Sequence, residues 1–332
     1  MESLDLRVLA EALEWHRAGW PVTLVTVVQT WGSAPRPPGA LLAVRGDGAV
    51  SGSVSGGCVE DDLIARIRSG EGAHSDFNRK PSMMAYGVSR EEAARFGLPC
   101  GGTLRLVQEA LEETAWVEDV LQRTARHQLV ARTLTLATGE VTLSDAARGA
   151  GLQFDGLTLT TVFGPRWRLL LIGAGQLSQA VASMALMLDF EVLVCDPRDA
   201  YLATQHLPGV TRLPGMPDDV VRELVPDAHT AIVALTHDPK LDDMALLEAL
   251  TSDAFYVGAL GSARNQAMRK QRLAEHFELS ALELDRLHGP VGLRIGARTP
   301  AEIAVSVMAQ IIEVKNAQLV VARPASAAAV QD

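Results

Sequence analysis

Apolar positions along the chain fall into two rhythms. Residues 4–17 set Leu6, Leu9, Leu13 and Trp15 on one side of a helical repeat, which predicts an opening helix. VTLVTVVQT (22–30) is rich in β-branched residues and predicts a buried strand. The turn WGSAPRPPG leads to ALLAVR, a second strand, and Gly46-Asp47-Gly48 signals a hairpin with AVSGSV as its return strand. From Val59 the spacing of Leu63, Ile64 and Ile67 becomes helical again, with a stop near Gly70. A polar stretch runs on to about residue 97, and LPCGGTLRLVQEAL then predicts a further strand after its cysteine. Residues 114–163 mix one helix with short Thr-rich strands.

The pattern changes at Pro165. RWRLLLIGAGQLSQAVASMALMLDFEVLVCDPR reads as strand, glycine turn, helix and strand, one βαβ unit. TAIVALT (230–236) and AFYVGAL (254–260) continue it as strands alternating with helical patterns, the signature of a doubly wound parallel sheet. The last helix carries its own start signal, with Thr299 as cap, Pro300 in the first position and Glu302 completing a capping box. The fold class is therefore α/β. An N-terminal α+β domain over 1–164 precedes a Rossmann-like domain over 165–320, and the Ala-rich tail over 321–332 is expected to be disordered.

Composition narrows the function. Apolar residues make up 48% of the 332 and charged residues 21%, as in a folded globular protein. The formal net charge of −10 repels phosphate backbones and argues against a nucleic-acid partner. Glu2 and Asp5 stand where a signal peptide would carry Lys or Arg. The most apolar region, about 169–195, is broken by Gly173, Gly175, Gln176, Gln179 and Asp189, so it predicts a core and no membrane span. Three cysteines make no disulfide framework, and a reducing cytoplasm is the expected location.

Three glycine turns carry candidate chemistry. Gly173-Ala-Gly175-Gln-Leu-Ser178 nearly spells G-x-G-x-x-G after a strand and before a helix, and Asp196 ends the next strand, where a carboxylate can accept from a ribose diol. Ser178 replaces the third glycine. His237, after a strand, is the nearest candidate acid or base. Gly258-Ala-Leu-Gly261-Ser262-Ala-Arg264 opens a helix with Arg269, Lys270 and Arg272; backbone N–H groups and cations there suit a phosphate, and a capped surface helix with a solvated basic face is the favoured alternative. The third turn, SVSGGCVEDD, leads through Ser55, Gly56 and Gly57 to Cys58 at a predicted helix start. The helix's positive end lowers a thiol's pKa, whereas Glu60, Asp61 and Asp62 oppose a thiolate. Cys58 is either a soft ligand to a metal or sulfur species, or a small buried hydrophobe. Cys100, followed by Gly101 and Gly102, divides evenly between these roles, Cys195 in LVLVCDP predicts a buried hydrophobe, and no spacing matches zinc.

Taken together, WGSAPRPPGA, SGSVSGGCVE, LPCGGTL, IGAGQ with CDPR, YVGALGSARN and GPVGLRIGARTPAEIA resemble the xanthine dehydrogenase accessory (XdhC/CoxI) family from about residue 20 to about 316. The resemblance implies a molybdenum-cofactor chaperone. Such a protein binds molybdopterin, protects it while a cysteine desulfurase makes the terminal Mo=S, and passes it to apo-xanthine dehydrogenase or a related hydroxylase. It places the family's motif cysteine on Cys58, as a molybdenum contact. The family turn often reads GAGHVG, where this chain has Gln176 and Ser178. An NAD(P)-dependent oxidoreductase is the alternative, and the oligomeric state, a homodimer included, stays open.

Overall fold

A computed structural model describes residues 3–30, 36–57, 59–69, 80–87, 103–146, 150–204, 206–236 and 238–321. The expected tail after 321 lies outside them. The chain divides into two compact units, Met1–Pro165 and Arg166–Asp332.

The first unit opens with α1 (Ser3–Arg17) and β1 (Val22–Thr30), followed by the hairpin of β2 (Leu41–Arg45) and β3 (Val50–Gly52). Then come α2 (Glu60–Arg68), β4 (Ser82–Tyr86) and β5 (Leu104–Ala110). The five strands form an antiparallel sheet in the order β3-β2-β1-β5-β4. Alternation along β1 serves two cores. Val22 and Leu24 meet Val8, Leu9 and Leu13 of α1, while Val25 and Val27 share a cluster with Val54, Val59 and Leu63, at the start of α2. α3 (Ala115–Ala125) and a second antiparallel sheet, of β6 (Val130–Thr135), β7 (Val141–Asp145), β8 (Gln153–Phe154) and β9 (Thr158–Phe163), complete the unit. β4 was not expected: its Ser-Met-Met-Ala-Tyr sequence has little β-branching, and as an edge strand it is half exposed.

The second unit is a six-stranded parallel sheet. Its strands are β10 (Arg168–Ile172), β11 (Glu191–Cys195), β12 (Val210–Leu213), β13 (Thr230–Ala234), β14 (Tyr256–Ala259) and β15 (Leu287–His288). They lie in the order β12-β11-β10-β13-β14-β15. Leu169 and Leu171 of β10 face a layer made by α4 (Gln176–Met187) and the last helix, α10 (Pro300–Val321). Leu170 and Ile172 face the opposite layer, from α6 (Pro217–Leu224), α7 (Pro239–Thr251) and α8 (Ala263–Phe277). Burial on both faces explains why β10 reads as an unbroken apolar run. Two short helices, α5 (Asp199–Leu202) and α9 (Ala281–Asp285), fill connections. The chain reverses direction across the sheet between β10 and β13. Their carboxyl ends therefore flank the crevice at which doubly wound sheets take ligands. No helix among the described residues is long and apolar enough to cross a membrane.

Candidate functional site

In the first unit the chain around the SGG turn is organised by one carboxylate. Helix α2 begins at Glu60, after Val59 as N-cap, and the Glu60 side chain folds back under the preceding loop. Its Oε1 accepts from Ser53 Oγ at 2.7 Å and from the N–H groups of Val54 and Ser55, each at 2.9 Å. Its Oε2 accepts from Ser55 Oγ, from Gly57 N–H at 3.0 Å and from Val59 N–H at 3.2 Å. Gly56 N–H goes to Ser53 Oγ at 2.9 Å, and Val59 N–H also reaches Ser55 Oγ at 2.8 Å. Burial works against ionisation of Glu60, but hydrogen bonds from Ser53, Ser55 and Val54 outweigh it and hold the pKa at about 2. Glu60 is thus an internal anion that gathers the loop's donors.

That arrangement changes what the turn offers. The N–H groups of Ser55, Gly56 and Gly57 are already satisfied, so they do not form a vacant anion cradle. Among the described residues, nothing lies within 4 Å of where a side chain at Gly57, at φ +117°, would stand. Glycine is needed there for its backbone conformation. Cys58 itself lies outside the described residues, as do Cys100, Gly101, Gly102 and His237. The residues on both sides of Cys58, however, are tied to the same carboxylate.

In the second unit, Gly173 follows β10 at φ +104°, and its N–H donates to Cys195 O at 2.7 Å. A Cβ at Gly173 would stand 3.1 Å from Thr236 Cγ2 and 3.2 Å from the Thr236 backbone, so the turn after β10 packs directly on the turn after β13. Gly175 caps α4 without a side-chain hydrogen bond, no acid occupies the helix's first turn, and no described residue fills the space at Gly175. Ser178 is fully buried and its Oγ has no partner among the described residues, the cost of a hydroxyl at the position that the third glycine fills in the fingerprint.

Asp196 does not stand free for a ribose. It is fully buried; Oδ2 accepts from Ala174 N–H at 2.9 Å and Arg198 Nη2 at 2.8 Å, and Oδ1 from Arg198 N–H and Nε at 3.0 and 2.8 Å. Burial opposes its charge, yet these bonds hold its pKa below the usual carboxylate range. The carboxylate braces the glycine turn from within, and what faces outward is the half-exposed Arg198 guanidinium, 4.0 Å over the Tyr201 ring. A nicotinamide dinucleotide would find its expected ribose acceptor occupied.

The basic helix is likewise largely spoken for. Ser262 caps α8 by accepting from Asn265 N–H at 3.2 Å. Arg269 is buried and bonds Asp242 at 3.1 Å, Asp243 at 2.9 Å and Leu260 O at 3.2 Å; Arg272 bonds Asp243 at 2.7 Å, and Lys270 pairs with Asp285 at 3.7 Å. These three cations hold α8 in place, so its basic face is paired and partly buried, not the solvated surface that the alternative expected. Arg264 is exposed and makes no hydrogen bond or ion pair among the described residues.

Cys195 is a buried hydrophobe. It is fully buried at the end of β11, and burial, then the nearby charges of Asp196 and Asp218, pushes its thiol up to about 12. Cys195→Ser is expected to cost roughly 1–3 kcal/mol by burying a hydroxyl. Chemical denaturation measures this, and cargo binding by the folded variant should be unchanged.

A profile described as the XdhC and CoxI family matches residues 15–74, across the Glu60 turn, and one described as the XdhC Rossmann domain matches residues 169–311. The chain is 29% identical over 317 residues to the molybdenum cofactor insertion chaperone PaoD of Escherichia coli, covering 93% of this chain and 88% of that protein. It is also 29% identical over 331 residues to a protein of Bacillus subtilis described as a probable xanthine dehydrogenase subunit, covering 90% and 94%. A crystal structure described as a xanthine dehydrogenase from Bacillus halodurans shares the fold, at 23% identity and a TM-score of 0.76, covering 99% of this chain and 98% of that one. Both matched regions, together with these relatives, establish that the chain belongs to the XdhC and CoxI family.

Proposed function

We propose that this protein binds the molybdenum cofactor as cargo and inserts it into apo-xanthine dehydrogenase or a related molybdenum hydroxylase. The observation that carries this is the Glu60 carboxylate collecting the N–H groups of Val54, Ser55, Gly57 and Val59, which fixes the backbone on both sides of Cys58 before any ligand arrives. The relatives' names support it. A carrier needs a rigid lip and a reversible soft contact, and no acid–base pair. Cys58 is the contact to molybdenum or to a sulfur atom in transit, beside Gly57.

Cys100, Gly101 and Gly102 form a second cysteine–glycine contact to the cofactor. Within the second unit, Gly173, Gly175, Gly261, Ser262 and Arg264 form a candidate group for an anionic ligand. Sulfuration of the cargo by a cysteine desulfurase precedes transfer in this scheme, and the cytoplasm is where it takes place. Titration of the full chain with isolated molybdenum cofactor tests the proposal. Saturable, roughly stoichiometric binding that NADH does not compete away is expected. Binding of NADH with substrate-dependent oxidation, and none of the cofactor, would overturn it.

A further inference from the structure

The chain is acidic, and Asp199, Asp218, Asp219 and Glu302 stand at the carboxyl edge of its parallel sheet, yet the same edge displays exposed cations that are not paired with them. In the second unit, cations at the amino edge are paired: Arg166 with Asp189 at 3.0 Å, Arg168 with Glu191 at 3.5 Å and Arg222 with Glu248 at 2.7 Å. At the carboxyl edge Lys240, Arg264, Arg294 and Arg298 are all exposed, and none makes a side-chain hydrogen bond or ion pair among the described residues. Arg198, paired with Asp196 at the carboxyl edge, and Arg212, on the edge strand β12, depart from this division.

Arg264 is the second residue of α8, whose first turn holds no acid and whose positive end disfavours a cation; Lys240 holds the same position in α7, beside the Asp238 cap. Arg298 directly precedes the Thr299–Glu302 capping box. The segment bearing Arg294 and Arg298 leaves from the same edge, because Val291 N–H donates to Ala259 O at the end of β14, at 2.9 Å.

The backbone of that segment is fixed. Gly292 N–H donates to Gln310 Oε1 at 2.7 Å, Leu293 N–H to Ser306 O at 3.1 Å, and the N–H groups of Arg298 and Thr299 to Glu302 Oε2 at 2.7 and 3.0 Å. A rigid loop therefore displays two guanidinium groups with no partner among the described residues. On the same edge, α4 starts at Gly175 with neither a side-chain cap nor an acid in its first turn.

We infer that the carboxyl edge of this sheet is a phosphate-binding face, on which Arg264, Arg294 and Arg298 hold the phosphate or diphosphate of the cargo. Guanidinium forks suit phosphate oxygens, and several cations along one edge suit a multiply charged group better than a single carboxylate. The identity of the ligand as cargo rests on the chaperone function proposed above; the phosphate-binding face does not.

The test titrates the full chain with inorganic phosphate, with inorganic pyrophosphate and with isolated molybdenum cofactor. It compares wild type, Arg264→Gln/Arg294→Gln/Arg298→Gln and, as a control, Arg212→Gln. Pyrophosphate should bind wild type and Arg212→Gln alike, more tightly than phosphate and less tightly with added salt. The triple variant, at unchanged melting temperature, should lose about tenfold or more in affinity for pyrophosphate and cofactor, the scale of one or two charged hydrogen bonds. Equal pyrophosphate binding by all three proteins would overturn the inference. So would cofactor binding untouched by the triple substitution, which would leave the chaperone function standing. Pyrophosphate binding that the triple variant loses, with no cofactor binding by wild type, would instead keep the phosphate face and remove the cofactor as its ligand.

Discussion

Cys58→Ser should strip the protein of molybdenum while leaving its fold intact. The substitution keeps the size of the side chain and an atom able to hydrogen bond. It replaces a soft, ionisable sulfur with a hard hydroxyl that stays protonated near neutral pH, and a hydroxyl is a poor partner for a thiophilic metal or a sulfur in transit. The backbone beside it is set by bonds from Gly57 and Val59 to Glu60, which the change does not touch. Unfolding free energy should therefore move by less than about 0.5 kcal/mol, the range of a substitution that disturbs no core, cap or network. Bound molybdenum after purification with cofactor should fall by about tenfold or more, since loss of one ligand bond of about 1.4 kcal/mol already has that effect. Full retention by Cys58→Ser would remove the thiol from the mechanism. A large loss of stability would instead make Cys58 a packing residue.

Glu60→Gln should do the reverse and damage the turn first. The carboxylate accepts at both oxygens from backbone and hydroxyl donors, and an amide presents two N–H groups at one of those ends. Whichever end carries the nitrogen, Gly57 and Val59 or Val54 and Ser55 face a donor. Hydrogen bonds to a charged acceptor contribute roughly 1.5–3 kcal/mol each where nothing replaces them, so a loss of that order is expected at pH 7. The pH dependence has a definite sign. Because Glu60 titrates at about 2 in the folded chain, below its ordinary 4.5, its contribution is complete above the ordinary range and is lost as the pH falls toward 2. Urea denaturation of both proteins from pH 7 downward should show the gap between them closing below about pH 4.5. A gap under about 0.5 kcal/mol at pH 7 would show that the turn does not depend on Glu60.

The second unit was legible because its physics is one-dimensional. Strands buried on both faces give continuous apolar runs, so β10, β11, β13 and β14 are visible in the sequence, and Gly173 announces the turn between strand and helix. The edge strands β12 and β15 are short and half exposed, and β4 has weak β-propensity, so none produces such a run. The site was harder to see because partners come from distant segments. Arg269 and Arg272 look like a basic surface until Asp242 and Asp243 of another helix are found against them. Asp196 looks like a ribose acceptor until Arg198, two residues on, is seen to close on it. Glu60 reads as a first-turn acid near a thiol, although Ser53, Ser55 and the glycine pair before it are the signal that a loop could fold onto a carboxylate. Arg294 and Arg298 lie in no periodic element, and only the pairing of the other cations makes them stand out.

Delivery of cofactor is the central claim, and a transfer assay reaches it most directly. The full chain is loaded with sulfurated molybdenum cofactor, freed of unbound cofactor and mixed with an apo-hydroxylase in the presence of a trap for free cofactor; recovered hydroxylase activity is then measured. The protein-bound cofactor should restore activity despite the trap, where the same amount of free cofactor does not, and Cys58→Ser carried through the same steps should restore little. Equal failure of free and protein-bound cofactor under the trap would contradict delivery by this protein.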